Sequence, residues 1–186
     1  MTKKKIKEIV NNSINQRNLC GMLFRYDCNY RYYYPLITND KLFLSVEEDN
    51  FILDGYSIRR YVDLKKIRIR DDNCIEILKK EGIVDSIQTP DIDITNWETV
   101  FQSIKRLNRN IIVEKESLDD NEWEFAIGRI DKIFKRFIYF FHFDADGIWG
   151  EEPIKIYYTD ITTVSFGTRY VDVFSKYIGE PPVSSN

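Results

Sequence analysis

Two stretches of this chain, 43–69 and 140–166, carry the same features in the same order without a gap. Phe43 falls opposite Phe140, Leu44 opposite Phe141, and Val46 opposite Phe143. Asp49 and Asp146 share an acidic turn, and Phe51 meets Ile148. Tyr61 meets Tyr158 and Asp63 meets Asp160, followed by the pairs Leu64/Ile161, Ile67/Val164 and Ile69/Phe166. Only four of these 27 positions are identical, so the order of features carries the match, not the identities. That order is strand, acidic turn, strand, Asp-aliphatic-x-x-aliphatic, strand. A repeat of this length points to two similar halves, each too large to be a single hairpin. The boundaries it sets are 1–90, 91–178 and a mobile tail over 179–186, where two prolines and two serines gather.

An amphipathic helix precedes each half. Over 3–16, Ile6, Ile9, Val10 and Ile14 share one face at helical spacing. Over 95–108, Trp97, Val100, Phe101, Ile104 and Leu107 do the same, and Thr95 with Glu98 reads as a capping box. Strands are expected at Met22–Tyr26, Tyr30–Pro35, Lys41–Val46, Phe51–Leu53, Tyr56–Tyr61 and Ile67–Arg70. Glu47–Asn50 and Asp54-Gly55 read as turns, and Pro35 as a strand edge or end. In Ile67-Arg68-Ile69-Arg70 strict alternation sends both isoleucines inward. The second half is expected to run Asn110–Lys115, Trp123–Ile127, Gly128–Lys135, Arg136–Phe143, Pro153–Tyr158 and Thr163–Phe166. Asn73–Lys80 and Tyr170–Tyr177 fit either a strand or a helix. The fold class is mainly β (α+β), with internal duplication of a helix plus five short strands.

The segment Asp54-Gly55-Tyr56-Ser57-Ile58-Arg59-Arg60-Tyr61-Val62-Asp63-Leu64-Lys65-Lys66-Ile67 resembles a pattern in uncharacterised bacterial proteins with tandem Sm-like or SH3-like small barrel halves. The second half keeps Asp160-Ile161-Thr162-Thr163-Val164 but has Glu151-Glu152-Pro153 in place of Asp-Gly-Tyr. The resemblance covers about 20–70 and 125–167 and implies a five-stranded barrel in each half. It carries no catalytic residue, because none is part of the pattern. Asp63 and Asp160 make sense as turn residues that accept backbone N–H bonds.

Composition narrows the function. The chain is 43% hydrophobic and 31% charged, enough for a core and a solvated surface. A net charge of −3 lacks the basic excess of most dedicated nucleic-acid binders. Cys20, Cys28 and Cys74 are irregularly spaced and odd in number, which suits reduced thiols and a cytoplasmic location. The basic start has no apolar stretch behind it and is not read as a signal peptide, and no run is long enough for a membrane span.

The usual signatures of chemistry are missing. His142 is the one histidine. It lies in Phe140-Phe141-His142-Phe143 on the face of Ile138 and Phe140, where a satisfied, partly buried role is expected rather than catalysis. There is no nucleophile elbow, no paired Cys or His ligand set and no glycine-rich phosphate loop. Asp144-x-Asp146-Gly147 lacks the ligands of a calcium loop and reads as a hairpin turn. The reading is therefore no enzyme, no metal and no cofactor.

What remains is surface. Tyr30, Tyr32, Tyr33 and Tyr34, read as a stretch about ten residues longer than its counterpart, stand near Arg59, Arg60, Arg68 and Arg70. Tyrosine and arginine are enriched at binding hot spots. The function this favours is a non-catalytic protein-binding module of the adaptor or immunity type, with an unknown protein partner. Basic residues interleaved with aromatics also suit RNA or single-stranded nucleic acid, the competing expectation. Trp123 and Trp149 are assigned to the core.

Overall fold

The computed structural model describes residues 1–182 and is mainly β, with 37% of the chain in strands and 21% in helices. It divides into two compact units, Met1–Pro90 and Asp91–Asn186. The expected tail falls partly outside the described residues. Its first residues are held: the Trp149 indole N–H donates to the Gly179 carbonyl at 2.9 Å, and Arg129 pairs with Glu180 at 3.1 Å. No helix among the described residues is long and apolar enough to cross a membrane.

The first unit begins with α1 (Lys3–Gln16). Thr2 caps it by accepting the Lys5 N–H, and Arg17 ends it in the left-handed region at φ 52°. Its apolar face meets one side of an antiparallel sheet made of β1 (Cys20–Phe24), β2 (Arg31–Thr38), β3 (Leu42–Asp49), β4 (Ile52–Arg60) and β5 (Leu64–Ile69). The strand order is β5-β1-β2-β3-β4. Ile6 and Val10 pack there with Met22, Phe24, Tyr33 and Phe43. The other side is covered by α2 (Asn73–Lys80) and the segment after it, where Leu78 and Ile87 pack with Leu19, Tyr34 and Val46. Asp72 caps α2 by accepting the Cys74 N–H.

Several expected turns move. Glu47, Glu48 and Asp49 lie within β3, and the hairpin turns instead at Asn50 and Phe51, both at positive φ (51° and 66°). That backbone is the two-residue turn whose twist matches paired strands. Asp54 and Gly55 sit inside β4, where the β3–β4 register shifts between Val46 and Glu48 and Gly55 takes φ 73°. They form a bulge, not a turn. Pro35 lies within β2, with strands on both sides. It is tolerated because pairing to β1 reaches only Tyr33 and the β2–β3 register shifts just beyond it, between Pro35 and Ile37. Ile69 is exposed while Ile67 is buried, so alternation fails at the end of the edge strand β5.

The second unit repeats the element order. α3 (Trp97–Arg106) is capped by Asn96 with Thr99 as reciprocal partner, one residue after the expected cap. It buries Val100, Phe101 and Ile104. Then come β6 (Ile111–Lys115), β7 (Glu124–Ile133), β8 (Phe137–His142), β9 (Ile154–Tyr157) and β10 (Thr163–Phe166), in the order β10-β6-β7-β8-β9. The short helix α4 (Arg169–Phe174) follows, capped by Thr168. β7 is one strand where two were expected. It passes through Gly128, where a Cβ would lie 1.9 Å from the Phe141 carbonyl oxygen. Asp144–Gly147 is a turn, as expected, with the Asp144 carboxylate accepting N–H bonds from Asp146 and Ile148.

The ladders give the correspondence between units residue by residue. Tyr33 pairs with Cys20 and Glu47, as Gly128 pairs with Ile111 and His142. The bulge after Pro35 in β2 recurs after Ile130 in β7. These ladders align Phe43 with Ile138 rather than Phe140, so the gap-free match slips by two residues in the third strand. They also remove the expected insertion: 25–30 joins β1 to β2, while the longer 116–123 joins β6 to β7.

Candidate functional site

The eight residues expected to form one surface are placed in four settings. Tyr30, Tyr32, Arg68 and Arg70 do meet. The Arg68 guanidinium stands 4.3 Å from the Tyr30 ring centroid, and that of Arg70 stands 4.4 Å from Tyr32. Arg68 also donates to the Tyr32 hydroxyl, while Arg70 pairs with Asp72 at 2.8 Å and with Glu48 at 3.6 Å. Arg60 is turned to Asp63, with Nε 2.5 Å from Oδ2. Asp63 is buried, and Arg25 and the Tyr26 hydroxyl also meet its carboxylate, so side chains hold the residue assigned to backbone bonding. Asp160 is exposed.

Tyr33, Tyr34 and Arg59 are buried and are corrected as surface candidates. Consecutive strand residues point to opposite faces, so both tyrosines are buried only because a helix covers each face of this sheet. Burial pushes both phenols up to about 12. Arg59 is 2% exposed. Its guanidinium lies 4.1 Å from the Phe24 centroid and 5.9 Å from Tyr33, and its Nε donates to the Ser57 hydroxyl. Beside it, Arg31 donates two bonds to Glu47 Oε1. Burial raises the Glu47 carboxyl, against the pull of Arg31. Together Phe24, Arg31, Tyr33, Glu47 and Arg59 fill the mouth of the first sheet.

The ladders place Ala126 where the first unit has Arg31, Gly128 for Tyr33, His142 for Glu47 and Ile156 for Arg59. At three of these four positions a small or aliphatic residue stands where a large one filled the space. A cavity of about 390 Å³ results, lined by residues between Val113 and Ile161. β6 and β9 both line it although two strands separate them, so the sheet curls around it. Val113, Ala126, Ile156 and Ile161 give it an apolar lining that Trp123, Phe125 and Tyr157 extend, and the Tyr157 ring packs on that of Phe137 at 5.8 Å. Trp123, Phe125 and Tyr157 are 50%, 47% and 45% exposed, so Trp123 is not core. Trp149 is half-buried, its ring 5.1 Å from that of Phe143.

One wall of the cavity is an open strand. β9 has β8 as its only strand partner among the described residues. The Tyr158 N–H donates to the Arg136 carbonyl, which sets the alternation along the ladder. Ile154 and Ile156 therefore turn their backbone groups to β8, while Lys155 and Tyr157 turn theirs away. The Tyr157 carbonyl accepts the Asp160 N–H. Lys155 holds its ammonium 4.2 Å from the Phe137 centroid. His142 lines the cavity, and its Nδ1 is buried without a hydrogen-bond partner among the described residues, short of the satisfied role expected for it.

Of the cavity residues, Asp160 and Ile161 belong to the repeated Asp-aliphatic-x-x-aliphatic pattern, and none carries a recognisable binding motif. The signal available in the sequence was the pair of small residues, Ala126 and Gly128, inside a strand. No protein-family model, characterised protein or solved structure matches this chain.

Proposed function

We propose that this chain is a non-catalytic protein-binding module, built as an internal duplication of small Sm-like or SH3-like barrel halves. The second half receives an extended segment of a partner protein, which adds to the free edge of β9 and places one side chain in the cavity. The duplication is supported by the shared order of helix, five strands and helix, and by the matching bulges in β2 and β7. One observation carries the binding reading: positions filled by Arg31, Tyr33 and Arg59 in the first unit are Ala126, Gly128 and Ile156 in the second, on or near a strand whose outer edge has no strand partner among the described residues. An edge strand supplies main-chain hydrogen bonds, and a pocket beside it supplies selectivity for a side chain.

The competing nucleic-acid reading draws less support. The guanidinium groups of Arg68 and Arg70 already lie over Tyr30 and Tyr32, and Arg70 is paired with two carboxylates. Those aromatic faces and that charge are engaged within the protein instead of being open to bases and phosphates.

A displayed library of short random peptides tests the proposal. Binders are expected to lose at least about tenfold in affinity against Lys155→Pro and Ala126→Arg. Proline at 155 removes an outward N–H and leaves the β8 ladder intact. Arginine at 126 places in the second unit the residue that helps fill the first. Both variants should keep the wild-type circular dichroism. A library that yields no binder, or binders indifferent to both substitutions, overturns the proposal.

A further inference from the structure

The cavity's own charges and size narrow what can fill it. Resting on the binding site proposed above, we infer that the cavity takes an uncharged aromatic group, delivered as a tryptophan side chain of the partner segment. Charge sets the first limit. Two lysines and three carboxylates reach the lining, and each is already engaged within the chain. Lys115 is paired with Glu124 at 2.9 Å. Lys155 rests its ammonium 4.2 Å from the Phe137 centroid and 5.2 Å from that of Tyr157. Asp160 accepts the Thr159 hydroxyl at 3.2 Å, and Glu114 is not without a partner. The buried Nδ1 of His142 lies against Gly150, where a Cβ would stand 3.5 Å from it, and so faces that loop instead of the open space. A charged occupant would leave water for a site whose opposite charges are already taken. A neutral one strands no group.

Size sets the second. Val113, Ala126, Ile156 and Ile161 bring no polar side-chain atom to the lining, and the backbones of β6, β7 and β8 are bonded in their ladders. Water in such a space finds few partners, and its replacement by an apolar group is favourable. The cavity holds about 390 Å³. An apolar cavity of about 150 Å³ already admits a benzene ring. The second unit therefore has room for a two-ring side chain, and a leucine would leave part of the lining without contact. Tryptophan is the largest apolar side chain and is among the residues most enriched at binding hot spots.

The test uses the full chain and a capped peptide of alternating threonine and valine with one central tryptophan. Versions carrying leucine, alanine, arginine or glutamate at the centre are compared by calorimetry. Free indole is titrated in parallel and followed by the methyl NMR signals of Ala126 and Ile156. The tryptophan peptide is expected to bind tightest, with the arginine and glutamate peptides at least about tenfold weaker. Its affinity should change less than about twofold as salt rises. Ala126→Leu should narrow the gap between the tryptophan and alanine peptides about tenfold, with circular dichroism unchanged, a change of size preference that a merely damaged fold would not give. If leucine, arginine or glutamate binds tightest and Lys155→Pro still abolishes binding, the aromatic inference falls and the groove stands. If none of the five binds while display-selected peptides require Lys155 and lack an aromatic residue, the aromatic inference again falls alone. If indole shifts both methyl signals and no peptide of either kind binds, the cavity's preference stands and its delivery by a partner segment falls. If nothing binds, both fall.

Discussion

The two units solve one packing problem in opposite ways. In the first, the mouth of the sheet is filled by Arg59 stacked on Phe24, with Tyr33 and an Arg31–Glu47 pair beside it. In the second, Ala126, Gly128, His142 and Ile156 occupy the matching ladder positions and a cavity remains. Their free edges differ too. β5 bears Lys65, Lys66 and Arg68, the charged kind of edge that discourages another strand from pairing. β9 reads Ile-Lys-Ile-Tyr, with one charge. The lesson is that one strand order can carry a filled half and a half that keeps a cavity. A few side-chain volumes decide which.

The largest effect should come from emptying the filled mouth. Arg59→Ala removes a buried guanidinium and leaves Ser57 and the raised Glu47 carboxyl without it. Removing one member of a buried charged cluster costs about 3–5 kcal/mol. The matching Ile156→Ala trims a side chain already partly exposed at an open cavity and should cost about 1 kcal/mol. Urea unfolding of the full chain measures both. Equal losses would break the comparison, because Arg59 would then be no more structural than its counterpart.

Gly128 is the next point of difference. Its counterpart in the first unit is Tyr33, yet a Cβ at 128 would lie 1.9 Å from the Phe141 oxygen and 2.8 Å from the His142 Cα. Both contacts are backbone, which cannot swing aside as a side chain can. Gly128→Ala is expected to cost about 3 kcal/mol, the upper range of an overpacking change. Unfolding by urea with an unchanged midpoint would show that β7 and β8 can separate there without loss.

How much of this was legible beforehand depended on what period-2 and period-3.6 patterns encode. The helix at 3–16 was legible because Ile6, Ile9, Val10 and Ile14 align at helical spacing. The burial of both Tyr33 and Tyr34 was not, because alternation assumes one solvated face and here α1 and α2 cover both. The two-residue slip between the third strands was equally hidden. A shift of two keeps every side chain on its face, so Phe43 matches Phe140 as plausibly as Ile138. The cavity depends on what is small at Ala126 and Gly128, and neighbours brought close only by the curl of the sheet give those residues their meaning.

A smaller effect concerns the tyrosines of the filled unit. The hydroxyls of Tyr33 and Tyr34 are buried without hydrogen-bond partners among the described residues. An unsatisfied buried hydroxyl costs about 1–3 kcal/mol, so Tyr34→Phe should stabilise the chain by about 1 kcal/mol at neutral pH. Burial also pushes these phenols up to about 12 in the folded state, above the ordinary 10. The unfolded chain therefore loses these protons first, and stability should fall as pH rises from 10 to 12. Tyr34→Phe should remove part of that loss, seen as a shallower fall in melting temperature across the same range. If Tyr34→Phe destabilises instead, the hydroxyl has a partner that matters.

The two hairpins give the finest contrast. Each unit needs positive φ where its third strand turns back. The second places Gly147 there at φ 78°, which costs a glycine little. The first places Asn50 and then Phe51, at φ 51° and 66°. Asparagine tolerates that region through its short polar side chain, but phenylalanine does not, and the left-handed conformation costs such a residue about 1–2 kcal/mol. Phe51 recovers little in exchange, since the residue is 40% exposed. The bond from its N–H to Glu48 Oε1 is made by the backbone and survives substitution. Phe51→Gly removes the strain but adds freedom to the unfolded chain worth about 0.5–1 kcal/mol, so the net expected gain is about 0.5 kcal/mol. A raised urea midpoint with an unchanged slope would bear this out. A loss of stability would instead mean that the ring packs more firmly than its exposure suggests, and that the first unit's hairpin is as filled as its mouth.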